Sequence, residues 1–159
     1  NNDCCFDLQF RKDTRHERTG SPTYYSWKLQ FAITGPRDSL KIMERAKKEF
    51  GCGDCSISKG QARFSVQKID DIYDAVVPYF VRRSLGEGGL SQNKKKDFQL
   101  WQKAVEIIYK NKGIPLATWE KNDLKKLLEI HKAKTQYKQK PRSGKWIDMA
   151  KVLARAERG

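Results

Sequence analysis

Residues 5–12, Cys5-Phe6-Asp7-Leu8-Gln9-Phe10-Arg11-Lys12, alternate from one side chain to the next, and this period of two decides the fold class. Phe6, Leu8 and Phe10 share one side; Cys5, Asp7, Gln9 and Arg11 share the other, as in a half-buried strand. Residues 13–23 are charged and contain Gly20, Ser21 and Pro22, the composition of a connecting loop. The alternation then resumes, with Tyr25, Trp27, Leu29, Phe31 and Ile33 inward and Tyr24, Ser26, Lys28 and Gln30 outward. The two runs predict a long antiparallel hairpin with one apolar face.

Moving outward, Gly35-Pro36 ends the second strand. Asp38 or Ser39 can cap a helix to about Phe50, where Leu40, Met43, Ala46 and Phe50 recur at near-helical spacing. Gly51-Cys52-Gly53 stops it. A second hairpin is expected over 54–59 and 61–67, turning at Lys59-Gly60. Ser58 then faces Gln61, Ser56 faces Arg63 and Ile57 faces Ala62, so the polar and apolar faces agree across the pair.

Residues 69–80 read as a helix burying Ile69, Ile72, Val76 and Phe80, with Pro78 unfavourable in its last turn. Ser84 to Asn93 is a glycine-containing loop. A helix from about Lys94 to Asn111 follows, with Phe98, Trp101, Val105 and Ile108 on one stripe. Thr118 can cap another, with Leu124, Leu127, Leu128 and His131 on one side. Residues 132–145 carry six Lys/Arg and no acid and read as a linker, before an amphipathic segment with Trp146, Met149, Ala150 and Leu153. The pattern predicts an α+β fold, a curved four-stranded antiparallel sheet with helices on one face. The domain expected over 1–131 is followed by a basic C-terminal extension, 132–159.

The net charge is +14, unevenly spread. Residues 1–80 hold 13 Lys/Arg against 11 Asp/Glu, whereas residues 81–159 hold 20 against 8. A positive field concentrated in one half attracts polyanions and points to nucleic acid. No run approaches the roughly 18 apolar residues of a membrane span, so a membrane partner is not expected. Cys52-Gly-Asp-Cys55 is a C-x-x-C pair that, with Cys4 and Cys5, could complete a four-thiolate metal site. Small buried residues in a reducing compartment are the alternative. His16 and His131 share no motif, and no glycine-rich phosphate loop or nucleophile elbow appears.

Several segments carry a family resemblance. Asp3-Cys4-Cys5-Phe6 resembles the end of a LAGLIDADG motif. Phe31-Ala32-Ile33-Thr34, Phe50-Gly51-Cys52-Gly53, Ile57-Ser58-Lys59-Gly60, Phe64-Ser65-Val66 and Val77-Pro78-Tyr79-Phe80 are similar, in order and spacing, to core segments of the LAGLIDADG homing endonucleases. Lys94-Lys95-Lys96-Asp97-Phe98, leading to Trp101, resembles that family's Lys-x-x-Asp-Phe-x-x-Trp helix. The resemblance spans about residues 3–131.

The resemblance implies a saddle-shaped sheet laid in a nucleic-acid groove, read by Gln9, Arg11, Lys28, Gln30 and Arg63. It also implies Asp3 as a magnesium-holding catalytic carboxylate and Lys94 as the basic residue that steadies phosphate charge. Lys95, Lys96, Lys138, Lys140 and Arg142 add further phosphate contacts. Three departures imply that cutting has been lost: Cys4 replaces the motif's glycine, Asn1 an acid, and the apolar helix that should precede Asp3 is not contained in these residues. The expected function is therefore non-catalytic and cofactor-free. It is binding of structured RNA in an organellar ribonucleoprotein, a ribosome or intron RNA with its proteins. The alternative is a magnesium-dependent, site-specific DNA endonuclease.

Overall fold

A computed structural model describes residues 3–13, 24–84, 91–135, 150–151 and 154. Strands β1 (Asp3–Asp13) and β2 (Tyr24–Pro36) pair antiparallel. Phe6 lies opposite Phe31, Leu8 opposite Leu29 and Phe10 opposite Trp27, and all six are buried. β2 runs past the stop expected at Gly35-Pro36, because Gly35 and Pro36 still have partners, Ala62 and Gln61. Proline is tolerated there at the strand's last position. Strands β3 (Asp54–Ser58) and β4 (Gln61–Val66) form the second hairpin in the expected register. Its turn residues, Lys59 (φ 50°) and Gly60 (φ 76°), both have the positive φ of a tight twisted hairpin turn. β4 docks against β2, so the sheet order is β1-β2-β4-β3.

Between the hairpins, helix α1 (Leu40–Phe50) follows a 3-10 turn, Arg37–Ser39, and is stopped by Gly51, whose N–H donates to the Lys47 carbonyl at 2.9 Å. Gly53 is the tighter glycine. Its φ is +95°, and a Cβ there would stand 2.6 Å from the Phe64 ring and 2.9 Å from the Ser65 carbonyl. Gly53→Ala should therefore combine backbone strain with overpacking and lose about 3 kcal/mol of stability. Urea unfolding would read this directly, and an unchanged midpoint would mean that the turn can shift at no cost.

The next helix does not end near Pro78 as expected. It runs through α2 (Ile69–Asp71), a π-helical segment Ile72–Val76, and α3 (Val77–Ser84). The Val77 N–H reaches back five residues to Ile72, so the turn has already widened where the next residue lacks a donor. Ile72, Val76 and Phe80 are buried as read, and Ile69 is half-buried.

Helix α4 (Gln92–Lys110) starts two residues earlier than expected, because the Ser91 hydroxyl accepts from the Lys94 N–H at 3.3 Å. It lays Phe98, Trp101 and Val105 on the core. Phe6 lies at the centre of an aromatic cluster, with Phe80, Phe98, Trp101 and Phe31 ring centroids 5.1–5.5 Å away. The Trp101 indole donates to the Asp7 carbonyl of β1 at 2.9 Å.

Thr118 does not cap the last long helix. It closes a 3-10 turn, Leu116–Thr118, its hydroxyl donating to the Pro115 carbonyl at 2.8 Å. Trp119 then plunges into the core, and helix α5 (Lys121–Lys134) begins behind Glu120. Leu124 and Leu127 are buried, Leu128 is half-buried, and His131 lies 6.1 Å from the Trp27 ring.

α4 and α5 are antiparallel and joined near both ends. At one end Asp123 accepts from Asn111 at 3.1 Å and pairs with Lys110 at 2.9 Å. Burial works to raise its carboxyl, but these two partners outweigh it and hold it below its usual range. At the other end Lys134 pairs with Asp97 at 2.5 Å. Lys134, read from the sequence as part of a basic linker, is a buried residue of α5. Ala150 and Ala154 are helical and buried in the same core; Trp146, Met149 and Leu153 lie outside the described residues. Among the described residues no helix is long and apolar enough to cross a membrane.

Candidate nucleic-acid interface

Helices cover only the apolar face of the sheet, so the alternation that builds the core leaves the opposite face polar. Strand register arranges that face in rows. One row places Asp3 opposite Thr34, Thr34 opposite Arg63 and Arg63 opposite Ser56. The next are Cys5–Ala32–Ser65–Asp54, Asp7–Gln30, Gln9–Lys28 and Arg11–Ser26. From the level of Asp3 to that of Arg11 the face extends about 27 Å at roughly 3.4 Å per residue. That is on the order of eight base pairs of duplex, at about 3.4 Å each.

All five sheet residues picked out by alternation fall on this face. Arg11, Lys28 and Arg63 are exposed; Gln9 and Gln30 are half-buried. The Arg11 guanidinium donates to the Gln9 amide oxygen at 2.5 Å, and the Gln67 amide to Gln30 at 3.2 Å. Gln67, Thr34 and Ser56 belong to the face and were not singled out from sequence. The register given by Lys59-Gly60 would have found Ser56, whereas Gln67 meets Gln30 only through the β2–β4 pairing.

Lys94 is brought from α4 to the start of β1, where its ammonium donates to the Cys4 carbonyl at 2.5 Å, next to Asp3. Lys95 and Lys96 stay on the first turn of α4, half-buried and exposed. Lys138, Lys140 and Arg142 lie outside the described residues.

The cysteines do not converge. Cys4 is on β1, Cys55 on β3 and Cys52 just before it; β1 and β3 are opposite edges, three strand spacings or about 14 Å apart. Burial pushes the Cys52 thiol up, and Asp71 adds to this. It also pushes up Cys55, where Lys47 opposes the shift while Glu44 and Asp54 add to it. Among the described residues no group of three His, Cys, Asp or Glu could hold a metal.

An open antiparallel sheet with one polar, cation-bearing face is the architecture of proteins that lay strands in a nucleic-acid groove. The chain belongs to the LAGLIDADG endonuclease family, whose model matches residues 2–105. Its fold is shared with the homing endonuclease I-TnaI at 18% identity and a TM-score of 0.67, covering 96% of this chain and 90% of that one. I-SmaMI bound to an uncleaved DNA target in the presence of calcium ions is similar at 20% identity and TM-score 0.66, over 88% of this chain and 42% of that one. The I-LtrWI LAGLIDADG homing endonuclease bound to target DNA gives 20% and 0.62, over 86% and 40%. Comparison with curated proteins gives no match.

Proposed function

We propose that this chain binds a nucleic-acid duplex along the open face of its sheet and does not cut it unaided. The supporting observation is the continuous polar face, about 27 Å long, with Lys94 drawn to one end of it. Duplex DNA suits this face better than duplex RNA. The B-form major groove admits a β-ribbon, and Gln and Arg match its base edges; the A-form major groove is too narrow. Two solved relatives of the same fold are described as bound to DNA targets.

Magnesium, which the resemblance assigns to Asp3, does not fit the donors of one chain. Asp3 offers a single carboxylate, while the neighbouring Cys4 carbonyl is engaged by Lys94. Asp3 is also the first residue of a strand, paired with Thr34, and the glycine position beside it is the regular strand residue Cys4, paired with Ile33. The arrangement binds and orients phosphate; no cleavage step is derived from it.

Incubation with a randomised duplex library and millimolar magnesium or manganese should therefore yield no staggered double-strand ends on sequencing. Specific cleavage that vanishes in Asp3→Asn would overturn this reading and restore the endonuclease.

A second reading has its own support. The basic half of the chain, 20 Lys/Arg against 8 Asp/Glu over residues 81–159, suits a structured RNA in an organellar ribonucleoprotein. In that case the helices and the segment with Lys138, Lys140 and Arg142 make the contacts.

A further inference from the structure

The Asp97–Lys134 pair is nearly dry, with side chains 11% and 3% exposed. Buried ion pairs of this kind are poor sources of stability, since apolar residues of similar volume often serve as well. Its location suggests another use. Residues three apart on a helix are surface neighbours, so Asp97 is the carboxylate of α4 closest in sequence to Lys94 and its ordinary ion-pair partner. Yet the two groups are directed apart. The Asp97 carboxylate meets Lys134, 37 residues away, and the Lys94 ammonium reaches the Cys4 carbonyl, 90 residues away.

We propose that Lys134 is a positioning residue for Lys94. By neutralising Asp97 it withdraws the carboxylate that would otherwise capture the Lys94 ammonium. That ammonium is thereby kept at the end of the polar face, beside Asp3, where a phosphate can meet it. The inference rests on the reading of Lys94 as a nucleic-acid contact. It assigns a role in binding to a residue that touches no nucleic acid itself.

The test is a double-mutant cycle on the full chain, measuring Kd against salt for a mixed-sequence DNA duplex and for a stem-loop RNA. Lys94→Ala should weaken binding and lower the log–log salt slope by about one unit. Lys134→Met should reproduce that loss with Lys94 still present, and should add nothing in a Lys94→Ala background, because the two act through one contact. The pair Asp97→Asn with Lys134→Met removes both charges together, which is close to neutral for folding, and should restore the wild-type slope. A purely structural pair would instead move the melting temperature, leave the slope alone, and act additively with Lys94→Ala.

Should Lys134→Met fail to fold, Ser91→Asp keeps a competent helix cap and offers Lys94 a rival carboxylate with the buried pair intact. It should weaken binding in the wild-type background and not in Lys94→Ala. An unaltered Lys94→Ala would overturn the reading of Lys94 and this inference with it. A loss in Lys94→Ala beside unchanged Lys134→Met and Ser91→Asp would overturn this inference alone, as would failure of the neutral pair to restore binding.

Discussion

Trp101→Ala should lose about 4 kcal/mol of folding stability, a large share of the roughly 5–15 kcal/mol typical of a domain. The indole is fully buried, its ring centroid 5.2 Å from Phe6 and 6.3 Å from Phe98. Its N–H also satisfies the Asp7 carbonyl of edge strand β1. Truncation therefore opens a cavity where helix meets sheet and leaves a main-chain oxygen without that donor. Trp101→Phe separates the two effects, since it keeps most of the packing and loses the hydrogen bond, at about 1 kcal/mol plus a smaller cavity. Urea unfolding of both variants decides the matter. A midpoint for Trp101→Ala near wild type would mean that α4 does not anchor β1, and that Lys94 is not held in place by that helix.

The other large effect is on binding. Arg11, Lys28 and Arg63 replaced together by Ala should leave the fold nearly intact, because all three are exposed and point away from the core. If each meets a DNA phosphate, the log–log dependence of affinity on salt should flatten by about three units; any that reads a base edge instead should cost about 1–3 kcal/mol of discrimination. Anisotropy titrations at several salt concentrations, with a circular-dichroism melt as control, give both quantities. Binding that survives this triple change and is abolished by Lys138, Lys140 and Arg142 to Ala would shift the contact surface to the basic half and favour the RNA reading.

The hairpins were legible because their information is local. Phe6, Leu8 and Phe10 alternate with polar neighbours within a single strand, and Lys59-Gly60 sets the register of β3 and β4 by turn geometry alone. The same alternation named the five residues of the polar face. What escaped depended on partners distant in sequence. Lys134 looked like one cation in a solvated basic run because Asp97, which makes it buriable, is 37 positions upstream. Gln67 gains its neighbour Gln30 only when β4 docks on β2. The helix through Pro78 survives by a backbone adjustment one turn earlier, and side-chain periodicity does not report on hydrogen-bond span. Trp119 fills a gap between two helices whose separation no local pattern encodes, and the start of α5 moves behind it.

The paired helices α4 and α5 are fastened at opposite ends, by Asp123 with Lys110 and Asn111 at one and by Asp97 with Lys134 at the other. The consequence is mechanical. A slip of α5 along α4 by one turn, about 5.4 Å, must break both fastenings at once, so no intermediate register keeps either. A pull applied to the sheet by a bending polymer is then passed to a strut that holds its length, and the load appears as rotation of the helix pair rather than as shear within it.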